Sequence, residues 1–135
     1  MTRFVVDPGT VLRLVESDAQ VPGTHELLAP TLLRSQTLSA LHEAVHRGDL
    51  TAEVGRERLA RVGRLKIRLL GDGVLRRTAW TVAERLGWAS TYDAEYVALA
   101  RLRGIALVTA DADLTRAVVG LIETAPYEAL LDREA

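Results

Sequence analysis

Residues 91–114, TYDAEYVALARLRGIALVTADADL, constrain the fold of this chain more than any other stretch. Tyr92, Tyr96, Val97, Leu99, Ala100 and Leu102 give a helix with a wide apolar surface, which belongs in the interior. Gly104 is placed to stop it. Ile105 to Val108 is then apolar on both faces, as expected of a central parallel strand. Asp93 opens the helix, and Asp111 and Asp113 close the strand. Carboxylates at the ends of buried elements either cap those elements or hold a cation.

The other segments repeat the alternation. Phe4-Val5-Val6 is a short β-favouring run, broken at Asp7-Pro8-Gly9, with Asp7 set to cap a helix whose first residue is Pro8. Residues 17–24 form a polar loop that includes Pro22 and Gly23, and His25 also lies in a loop. Residues 26–29 read as a second short strand, ended by Pro30. Leu32, Leu33, Gln36, Thr37, Ala40, Leu41, Ala44 and Val45 fall on one helical stripe, so Gln36 sits on or beside a buried face. Thr51 caps a helix running to about Val62. Residues 65–70 fit a strand or a helix segment, and Gly71-Asp72-Gly73 is a turn. Residues 74–86 form an amphipathic helix ended by Gly87, with Trp80 and Trp88 as packing or interface residues. Residues 112–119 are helix-like, and Leu121-Ile122 is a candidate last strand. Short apolar strands alternating with helices argue for an α/β fold with a short, mostly parallel sheet flanked by helices.

At 135 residues the chain is most simply one domain, residues 1–135, with enough length for a real core. Its 48% apolar and 26% charged content fits a globular protein. No apolar run reaches the roughly 20 residues that span a bilayer. With no cysteine, disulfides, thiolate metal sites and thiol catalysis are excluded. These features suggest a cytoplasmic protein. A formal net charge of −1 gives no overall pull toward nucleic acid. Residues 56–77 nevertheless form a basic band, either a solvated helix face or a phosphate-binding surface.

Ligands of parallel sheets bind at the carboxyl ends of the strands, and Asp7 and Asp111 each follow an apolar strand. If Asp7, Asp93 and Asp111 converge, their repulsion is relieved by a divalent cation, and hard oxygen ligands select Mg²⁺ or Mn²⁺. Such a cation polarises a phosphoryl oxygen and activates a water. Taken singly, Asp7 and Asp111 serve equally well as helix caps, and Asp93 is favoured by the helix dipole. A phosphoacceptor domain also places aspartates at strand ends, but it wants a lysine near them. The single lysine, Lys66, lies in the basic band.

Four segments together resemble the PIN-domain ribonucleases, specifically the VapC-type toxins of bacterial toxin–antitoxin pairs. They are FVVDPGTVLRLVE, LLAPTLLRSQTLSALHEAVHRGDL, RLLGDGVLRRTAWTVAERLGW and TYDAEYVALARLRGIALVTADADL. The resemblance implies a PIN-like fold and Mg²⁺- or Mn²⁺-dependent hydrolysis of RNA phosphodiesters. It assigns metal-holding and catalytic roles to Asp7, Asp93 and Asp111, with Asp113 as a fourth metal residue and Thr109 in support. It also implies a homodimer and inhibition by a small VapB-like antitoxin. Arg34, Arg76 and Arg77 are the candidates to meet RNA phosphates.

Two positions depart from the family pattern. Gln36, counted with the catalytic residues, stands where a glutamate is usual; its carbonyl oxygen can still face a cation and help position it or its water, but one negative charge is gone. Glu43 lies two helical turns away, roughly 10 Å, too far to replace it. Gly9-Thr10 replaces the usual serine after Asp-x. These departures leave a second expectation, a PIN-fold protein with weakened or lost nuclease activity that acts by binding RNA or its antitoxin.

Overall fold

The computed structural model of this chain describes residues 2–133; residue 1 and residues 134–135, the ends of the expected 1–135 domain, lie outside the described residues. Among the described residues five strands form one sheet: β1 (Thr2–Val6), β2 (His25–Pro30), β3 (Ile67–Leu70), β4 (Ala106–Val108) and β5 (Thr124–Ala125). The helices are α1 (Pro8–Ser17), α2 (Leu32–His46), α3 (Ala52–Arg64), α4 (Gly73–Leu86), α5 (Tyr92–Arg103) and α6 (Ala112–Ala117), with a 3₁₀ turn at Tyr127–Leu130. Every strand pair is parallel, and the order is β3-β2-β1-β4-β5. The α/β expectation holds, with a sheet that is parallel throughout.

That order fixes where a ligand can enter. Strands step outward from β1 to β3, and the chain then returns to add β4 and β5 on the other side of β1. The winding reverses between β1 and β4, so the loops leaving those strands diverge and open a crevice at their carboxyl ends. In the register, Val6 pairs with Val108. Asp7 and Thr109 are therefore the first residues past two matched strand ends, on strands about 4.8 Å apart.

The core is built around β1, β2, β4 and α5. Val5, Val6, Leu28, Ala29, Leu107 and Val108 have no exposed surface. In α5 the residues Ala94 and Tyr96 to Ala100 are all buried, which explains a helix apolar nearly all round. Gly104 ends it in the left-handed region at φ 64°, and the backbone amide of Ile105 returns to the Ala100 carbonyl. The two-residue link Gly104-Ile105 sends the chain straight back into β4, so the first turn of α5 lies toward the carboxyl end of that strand.

Three local expectations are corrected. The strand placed at Leu121-Ile122 is instead a turn, because both backbone amides bond to the Val118 carbonyl. The last strand forms at Thr124–Ala125, where the ladder with Leu107 and Val108 becomes available. His25, placed in a loop, begins β2 opposite Thr2 and is buried with its ring edge-on to Phe4. Asp72, read as part of a turn, accepts a hydrogen bond from the Leu75 amide and caps α4. The ambiguous 65–70 segment supplies the edge strand β3.

The helices α2 and α3 meet closely at Gly55, where an added Cβ would stand 2.6 Å from Val45 Cγ2. Gly55→Ala gains helix propensity of about 1 kcal/mol but overpacks this contact. A net loss of roughly 1 kcal/mol is expected, read as a lower urea midpoint; an unchanged or raised midpoint would show that the helices can separate without cost.

Candidate active site at the carboxyl ends of β1 and β4

Asp7 ends β1 and caps α1, its Oδ1 accepting from the Thr10 amide at 2.9 Å. Asp111 follows β4 and caps α6, its Oδ1 accepting from the Asp113 and Leu114 amides at 2.9 and 3.0 Å. The cap reading therefore holds for both side chains. Each carboxylate uses one oxygen in its cap, and the other accepts no hydrogen bond among the described residues. The buried Thr109 hydroxyl accepts from the Asp111 amide at 3.1 Å and shapes the acidic turn. The Thr10 hydroxyl donates to the Val108 carbonyl at 3.0 Å, tying the start of α1 to the end of β4. Thr10 thus spends its proton on the scaffold.

Asp93 enters from the first turn of α5. Its carboxyl is pushed above the ordinary aspartate value, first by desolvation, then by the negative charges of Asp111 and Asp7. The Asp7 and Asp111 carboxylates are thus within electrostatic reach of Asp93. They do not close into a cage: among the described residues no three His, Cys, Asp or Glu side chains form a ready-made metal-holding group. Asp7 and Asp111 are each anchored to their own helix.

Tyr96 is the residue that the sequence reading left as core. It is buried one turn after Asp93, and its hydroxyl donates to Gln36 Oε1 at 2.7 Å. Burial first, and then the charges of Asp7, Glu95 and Asp93, push the phenol well above its ordinary value, so it remains a donor. The amide oxygen of Gln36, the atom expected to face a cation, is engaged by this phenol. Its Nε2 donates to nothing among the described residues, and Gln36 lines an open cleft with Trp88, Ser90, Tyr92 and Asp93.

Other sequence candidates lie further out. Asp113 is exposed and ion-paired with Arg116 on α6. Burial raises the Glu95 carboxyl, and the Arg76 guanidinium partly offsets it, which puts Arg76 beside the first turn of α5. Arg76 and Arg77 line a surface cleft with Trp80 and Thr81. Arg34 faces a different groove, with Leu33, Leu38, Leu59 and Leu69. The basic band is divided as well. Arg61 donates to the Val15 carbonyl and pairs with Glu57, while Arg68 pairs with Glu26.

Comparison with known proteins places this architecture. The PIN domain family matches residues 7–119. The chain is 34% identical over 115 residues to the ribonuclease VapC9 of Mycobacterium tuberculosis, covering 83% of this chain and 88% of that protein. A crystal structure of a Pyrobaculum aerophilum protein superposes with a TM-score of 0.76 at 24% identity, over 96% of this chain and 93% of the other. The Rickettsia felis VapBC2 structure, bound to a DNA fragment from its promoter, gives a TM-score of 0.65 at 8% identity, over 93% and 98%.

Proposed function

This chain belongs to the PIN-domain family, and from that premise we propose that it is a divalent-metal-dependent endoribonuclease, the toxin of a VapC-type toxin–antitoxin pair. The observation that carries the reading is the placement of Asp7 and Asp111 just past the matched ends of β1 and β4, where the sheet reverses its winding and where their charges bear on the Asp93 carboxyl at the start of α5. Negative charges gathered in this way are relieved by a cation. The donor set fits Mg²⁺ or Mn²⁺: hard oxygens only, with one uncommitted oxygen each on Asp7 and Asp111. The open spacing suits an ion that keeps several waters and needs few carboxylates.

When bound, such a cation polarises the scissile phosphate and lowers the pKa of an attacking water. The chain's own residues do the rest. Asp7, Asp93 and Asp111 hold the negative field that recruits the ion. Thr109 fixes the turn that carries Asp111, and Asp113 stands at the rim beside it. Gln36 and Tyr96 form a hydrogen-bonded pair at the edge of the carboxylates. Arg76 and Arg77, and more remotely Arg34, meet RNA phosphates. An RNA substrate puts the activity in the cytoplasm; among the described residues no helix is long and apolar enough to cross a membrane. The reading includes a single functional unit over residues 1–135, a VapB-like antitoxin partner, and a homodimer supported by the exposed Val74 and Trp80 on α4.

Gln36 favours a second reading, a PIN-fold protein of weak or lost activity that binds RNA or its antitoxin. The missing charge and the engaged Oε1 both lower the affinity for a cation. Incubating the purified protein with a mixed RNA pool separates the two. The nuclease reading expects cleavage with Mn²⁺ or Mg²⁺ that a chelator stops and added metal restores. RNA left intact at saturating metal would favour the binding protein.

A further inference from the structure

The cleft beside the carboxylates has a feature that cation binding does not use. It is about 530 Å³, within the range of small-ligand sites. Its lining joins two aromatic residues, Trp88 and Tyr92, to the Gln36 amide, Ser90 and Asp93. Trp88 is half-buried and held against the core, whereas Tyr92 is 57% exposed. The Ser90 oxygen accepts from the Tyr92 amide at 3.3 Å, fixing the turn that carries both residues. The Gln36 oxygen accepts from the Tyr96 hydroxyl, which fixes the amide's orientation, and its NH₂ group has no acceptor among the described residues.

We propose that this cleft is a nucleobase subsite, taking one unpaired base of the RNA next to the scissile phosphate, with Tyr96 as the positioning residue that orients the Gln36 amide so that its NH₂ group donates to the base. The proposal rests on the nuclease reading above. Single-stranded RNA is recognised by stacking unpaired bases on aromatic side chains and hydrogen-bonding their edges. A fixed N–H donor selects bases with a keto oxygen at that edge, uracil or guanine. It rejects cytosine and adenine, whose exocyclic amines present a donor at the same place. Glutamate here would offer no donor once ionised, so the departure from the family pattern acquires a role in substrate choice.

The test uses Trp80→Phe protein, in which Trp88 is the only tryptophan. Trinucleotides of uridine, cytidine and adenosine are titrated with Ca²⁺ present in place of Mg²⁺ or Mn²⁺, and Trp88 fluorescence reports occupancy. Saturable quenching is expected, with uridine bound about five- to tenfold more tightly than cytidine or adenosine, the scale of one hydrogen bond gained against one donor clash. Gln36→Ala should remove that discrimination, and Tyr96→Phe should reduce it. Mn²⁺ affinity, read by electron paramagnetic resonance, should stay within about twofold in both variants because neither side chain holds the ion. Equal binding of all three trinucleotides overturns the subsite. So does a Gln36→Ala variant that keeps the preference while losing Mn²⁺ affinity, which would return Gln36 to the metal. Failure of the nuclease reading looks different, since the parent protein would then neither bind Mn²⁺ nor cut RNA. If Tyr96→Phe unfolds, Gln36→Ala alone decides, because Gln36 lies at the half-buried start of α2.

Discussion

Replacing Asp93 by asparagine is expected to lower the rate of RNA cleavage by about 10²-fold or more, while leaving the metal-free protein at least as stable as the parent at neutral pH. The two effects share one cause. Folding raises the Asp93 carboxyl above the ordinary aspartate range, through desolvation and the charges of Asp111 and Asp7. A carboxylic acid raised by folding binds more protons in the native state than in the unfolded one. Its contribution to stability is therefore greatest at low pH. It declines as pH rises from the unfolded value through the raised folded value, and stays lower above that. At neutral pH the charged Asp93 opposes folding, and asparagine removes the opposition together with the charge needed for a cation. Thermal melts at neutral pH without metal, set beside cleavage assays, check both halves. A variant that melted well below the parent would show Asp93 to be structural.

Asp7 and Asp111 separate differently, because each also caps a helix. Asp7→Asn and Asp111→Asn keep an amide oxygen for the cap, whereas Asp7→Ala and Asp111→Ala do not. All four should lose cleavage by about 10²-fold or more, as for Asp93. Only the alanine variants should lose about 1 kcal/mol of stability each, the usual worth of an N-cap. Urea unfolding of the four variants gives the comparison. If the asparagine variants fall as far as the alanine ones, the carboxylate charge matters to the caps more than the hydrogen bond does. If they keep activity, these residues are caps and nothing else.

Much of this was legible in the sequence, for local reasons. The Asp7-Pro8 cap, the Thr51 cap and the Gly87 and Gly104 stops depend on residues within one helical turn, and each stands where its chemistry placed it. The parallel sheet followed from strands apolar on both faces. The Asp7, Asp93 and Asp111 cluster was a conjecture from strand ends. It acquires geometry from the Val6–Val108 register and from the reversal of α5 into β4, both long-range facts. What local rules missed is equally specific. Tyr96 has the pattern of a core aromatic, and only the tertiary structure reveals that its hydroxyl reaches Gln36 sixty positions earlier in the chain. Leu121-Ile122 looked like a strand because it is apolar, yet the preceding turn commits its backbone amides to Val118. The basic band looked continuous in sequence but spans α3, β3 and α4, where its arginines meet different partners.

The central claim is that Asp7, Asp93 and Asp111 together hold a divalent cation without forming a closed cage. Its most direct test is a Mn²⁺ titration of the metal-free protein followed by electron paramagnetic resonance, with Asp93→Asn in parallel. One saturable ion per chain is expected, with affinity reduced about tenfold or more in the variant. No saturable binding, or equal affinity in both proteins, would contradict the claim.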